Sequence, residues 1–148
     1  MRISMAIRGM RPAQSEIDRV VADPAQIPAV VDEYLAGPEF LDTVRDLHAE
    51  LLKVRVDTEA QLPSMGPLED ASAWDIYQAT TEETLRLVSH VVESERPYTE
   101  ILTADYMVTN DALARIYGLE YDPAGPEWQV SSWGDGRPHA GLLTSSEI

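Results

Sequence analysis

Apolar residues recur with a helical period along most of the first 119 positions. The clearest run lies behind Pro38, where Phe40, Val44, Leu47, Leu51 and Val54 follow one another at intervals of four, three, four and three. That spacing marks one face of a 3.6-residue helix. Leu41, His48 and Leu52 widen the stripe, which predicts a helix to about Arg55 with this face in the core. A second long helix is predicted from about Ser72 to Glu95, carried by Trp74, Tyr77, Leu85, Val88 and Val92, with Thr80-Thr81 as a point of irregularity. Shorter helices are announced by their ends. Pro12 fits a first helical turn, where its missing N–H is no loss. Asp23-Pro24-Ala25-Gln26 is a second start, reset by Pro28, with Val30, Val31, Tyr34 and Leu35 as its stripe and Gly37 as its left-handed stop. Pro97 opens a short helix through Ile101 and Leu102. Thr109 or Asn110 caps another, which carries Leu113, Ile116 and Tyr117 and ends at Gly118.

Two stretches break the pattern. Residues 56–72 hold Pro63, Gly66 and Pro67 and read as a loop. From Glu120 onward Pro123, Gly125, Pro126, Gly134, Gly136, Pro138 and Gly141 interrupt every helical period. Trp128 and Val130 alternate with polar neighbours and permit one short strand, while Leu142 to Ile148 read as the beginning of a further element. The predicted fold is therefore mostly α. It is an irregular helical domain of five or six helices over residues 1–119, followed by a Gly/Pro-rich segment over residues 120–148 with at most a short β-hairpin.

Charge narrows the choice of partner. The 148 residues carry 26 Asp+Glu against 11 Lys+Arg, a formal net charge of −15. Nucleic acid is disfavoured, because phosphate binding needs clustered cations, and anionic membrane surfaces repel such a chain. No stretch approaches the ~20 apolar residues of a spanning helix. The chain contains no Cys, which excludes disulfides, thiolate metal sites and thiol catalysis within it. The first 11 residues hold Arg2, Arg8 and Arg11 and no acid. Arg8 and Arg11 interrupt the apolar stretch Ile3–Met10, so it is not a signal peptide. This basic arm is expected to pair with the acidic remainder or with the surface of a neighbour.

Candidate chemistry is sparse. His48 and His90 sit on helical stripes, where a core histidine with one hydrogen bond outweighs a metal or haem ligand. His139 lies in the Gly/Pro-rich segment, and no His-x-x-x-His or Glu-x-x-His pair occurs. Glu82-Glu83 and Glu93/Glu95 read as solvated helix faces. Asp105, Asn110 and Asp111 flank a helix start and read as caps. Trp128 and Trp133 are two large aromatics in a Gly/Pro loop, either a lid on the helical core or a surface for a partner. No catalytic, cofactor-binding or metal-binding residue is assigned. Trp128, Trp133, Arg2, Arg8 and Arg11 are the candidate partner-binding residues.

Four segments carry a family resemblance. Arg2-Ile3-Ser4-Met5-Ala6-Ile7-Arg8-Gly9-Met10-Arg11-Pro12 opens the chain, and Val31-Asp32-Glu33-Tyr34-Leu35-Ala36-Gly37-Pro38-Glu39-Phe40 forms a helix–Gly–Pro–helix joint. Arg96-Pro97-Tyr98-Thr99-Glu100-Ile101-Leu102-Thr103-Ala104-Asp105-Tyr106 continues through Asn110 to Leu119, and Ala140-Gly141-Leu142-Leu143-Thr144-Ser145 closes the set. Together they resemble exported bacterial proteins of the planctomycete and myxobacterial cytochrome-associated type, a group of unknown function. The resemblance implies a periplasmic or extracellular location and a chain longer than this one. It also implies a downstream Cys-x-x-Cys-His haem site, which this cysteine-free chain lacks, so no cofactor carries over. The resulting expectation is a non-enzymatic helical subunit or module with protein partners in an exported, cytochrome-associated assembly. The alternative is an envelope hydrolase acting on glycans through Glu100, Asp105 and Asp111. A haem-contacting subunit using His48 or His90 is a third reading.

Overall fold

The computed structural model describes residues 2–55 and 65–146. The predicted loop at 56–72 lies partly outside them. The chain divides into two compact units, Met1–Leu47 and His48–Ile148, described here in turn. Residues 120–146, expected as a separate segment, belong to the second.

The first unit is helical. It contains α1 (Arg2–Arg8), α2 (Gln14–Ala22), a 3₁₀ turn at Pro24–Gln26, α3 (Ile27–Leu35) and the first turns of α4 (Pro38–Leu52). Of the residues expected as a basic arm, Arg2 to Arg8 form α1 and Arg11 lies beyond its end. With α1 the described residues hold seven α-helices, where five or six were expected. The start of α2 follows from Pro12 and Glu16. Glu16 reaches back to the N–H of Ala13 at 2.6 Å, half of a capping box, since alanine has no oxygen to complete the other half. Asp23 accepts the N–H of Ala25 at 3.0 Å and starts the Pro24 turn. Little of this unit is buried: Ser4, Val30, Tyr34 and Val44 are its buried residues.

In α4 the covered face is narrower than the predicted stripe. Val44 is buried, but Leu47 and Leu51 are 60% and 70% exposed. The covered side is Leu41, Val44, His48, Ala49 and Leu52, so the residues that widened the stripe are covered while Leu47 and Leu51 are not. Periodicity identified the helix and most of its covered face, but the widened stripe was broader than that face and took in Leu47 and Leu51.

The second unit is built on α5 (Ala73–Glu93). Ser72 caps it by accepting the N–H of Asp75 at 3.0 Å. Ile76, Ala79, Leu85, Leu87, Val88 and Val91 are buried along it, each large one contributing about 1.5–3 kcal/mol by leaving water. Thr80 and Thr81 do not break the helix. Their hydroxyls donate back to the carbonyl of Tyr77 at 3.0 and 2.9 Å, which satisfies them inside the core. Around α5 pack α6 (Glu100–Thr103), β1 (Met107–Thr109) and α7 (Asp111–Tyr117). Asn110 caps α7 by accepting the N–H of Leu113 at 3.1 Å, and Gly118 ends it at φ 69°, a conformation that glycine adopts without strain. Beyond it β2 (Gln129–Ser131) pairs antiparallel with β1, Val108 facing Val130. This is the short hairpin-like sheet the sequence allowed, although β1 itself was not foreseen. A 3₁₀ turn at Gly141–Thr144 follows.

Candidate functional site

The largely aliphatic groove of the first unit lies between α1, α2 and α3, with a volume of about 280 Å³. Ile3, Ile17, Val20, Val21, Ile27 and Val31 are among its walls. Val21 is 76% exposed, and Ile3 and Ile27 are also exposed. A polar cluster joins it. The Arg8 guanidinium lies 3.7 Å from the centroid of the Tyr34 ring and donates to Glu16 and Ser4, both at 2.9 Å. Ser4 donates onward to the Met10 carbonyl at 2.8 Å. Arg8 holds the Glu16 carboxyl below its ordinary range, while burial, then Glu16, pushes the Tyr34 phenol up. The arrangement offers apolar contact beside an ion pair whose Arg8 Nε is buried without a hydrogen-bond partner among the described residues.

Arg8, singled out in the sequence, is therefore tied to Glu16 and Tyr34. Arg2 and Arg11, in the same unit, are exposed. The two tryptophans belong to the second unit. Trp128 packs against the cluster of Leu68, Ile76, Ala79, Ala112 and Leu113, with Arg86 4.8 Å from its ring centroid. Trp133 donates its indole N–H to the Tyr117 carbonyl at 3.3 Å and meets the rings of Tyr117 and His139 edge-on. Trp128 thus covers part of the helical core of that unit, while Trp133 lies against the end of α7 and His139.

One acid departs from the sequence reading. Glu83, expected on a solvated face, is 2% exposed. Its Oε2 accepts the Tyr117 hydroxyl at 2.8 Å, the Ser146 N–H at 3.1 Å and the Ser146 hydroxyl at 2.8 Å. Burial pushes its carboxyl up despite these three donors, as expected for a charge taken out of water with no cation paired to it among the described residues. Ile76, Thr80, Glu83 and Leu87 share one helical stripe at intervals of four, three and four. That spacing was the available signal. Its neighbour Glu82 is paired instead with Arg55 and Arg86.

The remaining candidates are held in local pairs. Glu100 accepts from Arg96 at 2.5 Å and from Tyr106 at 2.8 Å; Arg96 holds its carboxyl low, and burial, then Glu100, pushes Tyr106 up to about 12. Asp111 pairs with Arg115 at 3.5 Å, and Asp105 is exposed. His48 Nε2 is 2.8 Å from the Tyr98 hydroxyl, and His90 stands edge-on to Tyr106. Among the described residues, no group of three or more His, Asp or Glu is arranged to hold a metal, and no helix is long and apolar enough to cross a membrane.

A family model described as PSD4, Protein of unknown function (DUF1592), matches residues 14–119. No curated protein matches the chain, and no solved structure does.

Proposed function

The match covers well over half of the chain, so the chain belongs to this family of unknown function, and from that premise we propose that it is a non-enzymatic docking module of an exported assembly. The observation that carries this reading is the open aliphatic groove of the first unit, with Val21, Ile3 and Ile27 standing in solvent. Clefts between helices receive the apolar face of a partner's amphipathic helix, anchored by side chains spaced three and four apart. The net charge of −15 favours an occupant whose flanks carry Lys and Arg. The cytochrome association and the periplasmic location rest on the resemblance of the four sequence segments. On that reading the partner bears the haem and this chain positions it.

The enzymatic alternative has less in its favour. A glycan hydrolase needs one carboxyl held protonated, whereas Arg96 beside Glu100 stabilises the ionised form.

The test is the native complex. Isolated gently from its own cells, the wild type is expected to elute above monomer mass, together with a second polypeptide that shows a Soret band. Replacing Val21 and Ile27 by Glu is expected to return it to monomer mass with an unchanged far-ultraviolet dichroism spectrum. A wild type that elutes alone as a monomer refutes the docking role. A co-eluting partner without a Soret band refutes the cytochrome association and leaves docking intact.

A further inference from the structure

We propose that residues 139–146 form a strap latched over Glu83, and that closure of the strap takes up a proton. The inference is independent of the docking reading. It concerns the second unit, where the partners of the buried carboxylate among the described residues are donors: Tyr117 of α7 and Ser146 of the strap.

The strap is seated at two points. Near its start the N–H of Gly141 donates to the Ala104 carbonyl at 3.0 Å. Gly141 has φ +50°, and a Cβ there would stand 2.1 Å from the Ile101 carbonyl oxygen, so the backbone lies against α6 as only glycine allows. At its far end Ser146 places its N–H and hydroxyl on Glu83, while Thr84 donates to the Ser145 hydroxyl at 2.8 Å. Within the strap, His139 Nδ1 and the Thr144 hydroxyl are 2.5 Å apart.

Closing the strap removes the Glu83 carboxyl from water. A charge without a cation is then penalised, and the neutral acid is favoured. Opening it hydrates Glu83 and also withdraws the two Ser146 donors, which favour the charge but are outweighed by burial in the closed form. Protons therefore bind the closed form more tightly, and by linkage acid closes the strap while rising pH loosens it. The upward push on Glu83 from burial agrees. The other charged groups near α5 have their own partners or stand apart: on α7 Asp111 and Arg115 pair with each other, Asp75 accepts from the Ser72 hydroxyl, and Glu93 is exposed. Glu82 is tied to Arg55 and Arg86, Glu100 to Arg96 and Tyr106, and His90 lies against Tyr106. Tyr117 stays a neutral donor, its phenol pushed up by burial and by Glu83, and β1 brings no titratable side chain. His139, pushed down by burial, acts in the opposite sense, since acid favours its release into water.

Amide hydrogen exchange at 140–146, corrected for intrinsic rates, separates these contributions in the full chain. The difference between wild type and Glu83→Gln isolates the carboxyl. Protection in the wild type relative to E83Q is expected to fall roughly threefold from pH 5 to pH 8, a range that lies above the ordinary carboxyl value near 4.5, where the open form has largely lost its proton. A constant ratio across that range overturns the proposal. Carbon-13 titration of the wild-type Glu83 carboxyl needs no variant. A midpoint above that of a free glutamate supports the latch, and one at or below it overturns the latch even if E83Q fails to fold.

Discussion

Glu83 is under opposing pressures: three hydrogen-bond donors favour its charge, and burial at the middle of α5 disfavours it more. The consequence for stability has a definite sign. A carboxyl raised in the folded state contributes stability that is fully present below its ordinary unfolded value near 4.5 and is lost as pH rises through the folded value. Glu16, held low chiefly by Arg8, works the other way, contributing above its ordinary value and losing this as pH falls through its folded one. E83Q keeps an amide oxygen for Tyr117 and Ser146 without the charge. It is expected to melt above the wild type at pH 8, with the advantage shrinking toward pH 4. Melting curves at the two pH values check this, and equal melting temperatures at pH 8 count against it. The charge of Glu83 was plain in the sequence. Its environment was not, because the hydroxyls that meet it come from residues 34 and 63 positions away.

At the scale of elements, local signals marked ends well and faces poorly. Ser72, Asn110 and Gly118 announced the ends of α5 and α7, because capping is a contact between near neighbours in the chain. Asn110→Ala is accordingly expected to lower stability by about 1 kcal/mol, read from urea unfolding midpoints. β1 was invisible in advance: its three residues are too few for a period, and its partner β2 lies beyond 19 intervening residues that include α7. In α4, the apolar stripe was broader than the covered face, and Leu47 and Leu51 stayed outside. Leu51→Lys is thus expected to change stability by no more than about 0.5 kcal/mol. Leu85→Ala, at 0% exposure, is expected to cost about 2–5 kcal/mol. Comparable losses for the two would restore the original stripe.

At the scale of the whole molecule, the two units differ in how much they bury. α5 alone contributes eleven buried residues, while the first unit buries Ser4, Val30, Tyr34 and Val44. Local opening follows buried contact, so amides of α1, α2 and α3 are expected to exchange faster than those of α5 at equal pH. Uniform protection across both units would contradict this. A helical chain was legible because composition and period agree over long windows. The division at Leu47 was not, since it falls inside a continuous helix. The groove was hidden as well, because its aliphatic walls come from three short helices, one of which read as a basic arm. One consequence of the Tyr117 position remains. Its hydroxyl touches Glu83, while its carbonyl and ring meet Trp133. The indole is thereby wired to the carboxyl, giving the protein a built-in optical gauge. In a chain whose other two tryptophans, Trp74 and Trp128, are replaced by Phe, emission colour and intensity should report the ionisation of a group that itself absorbs no visible light.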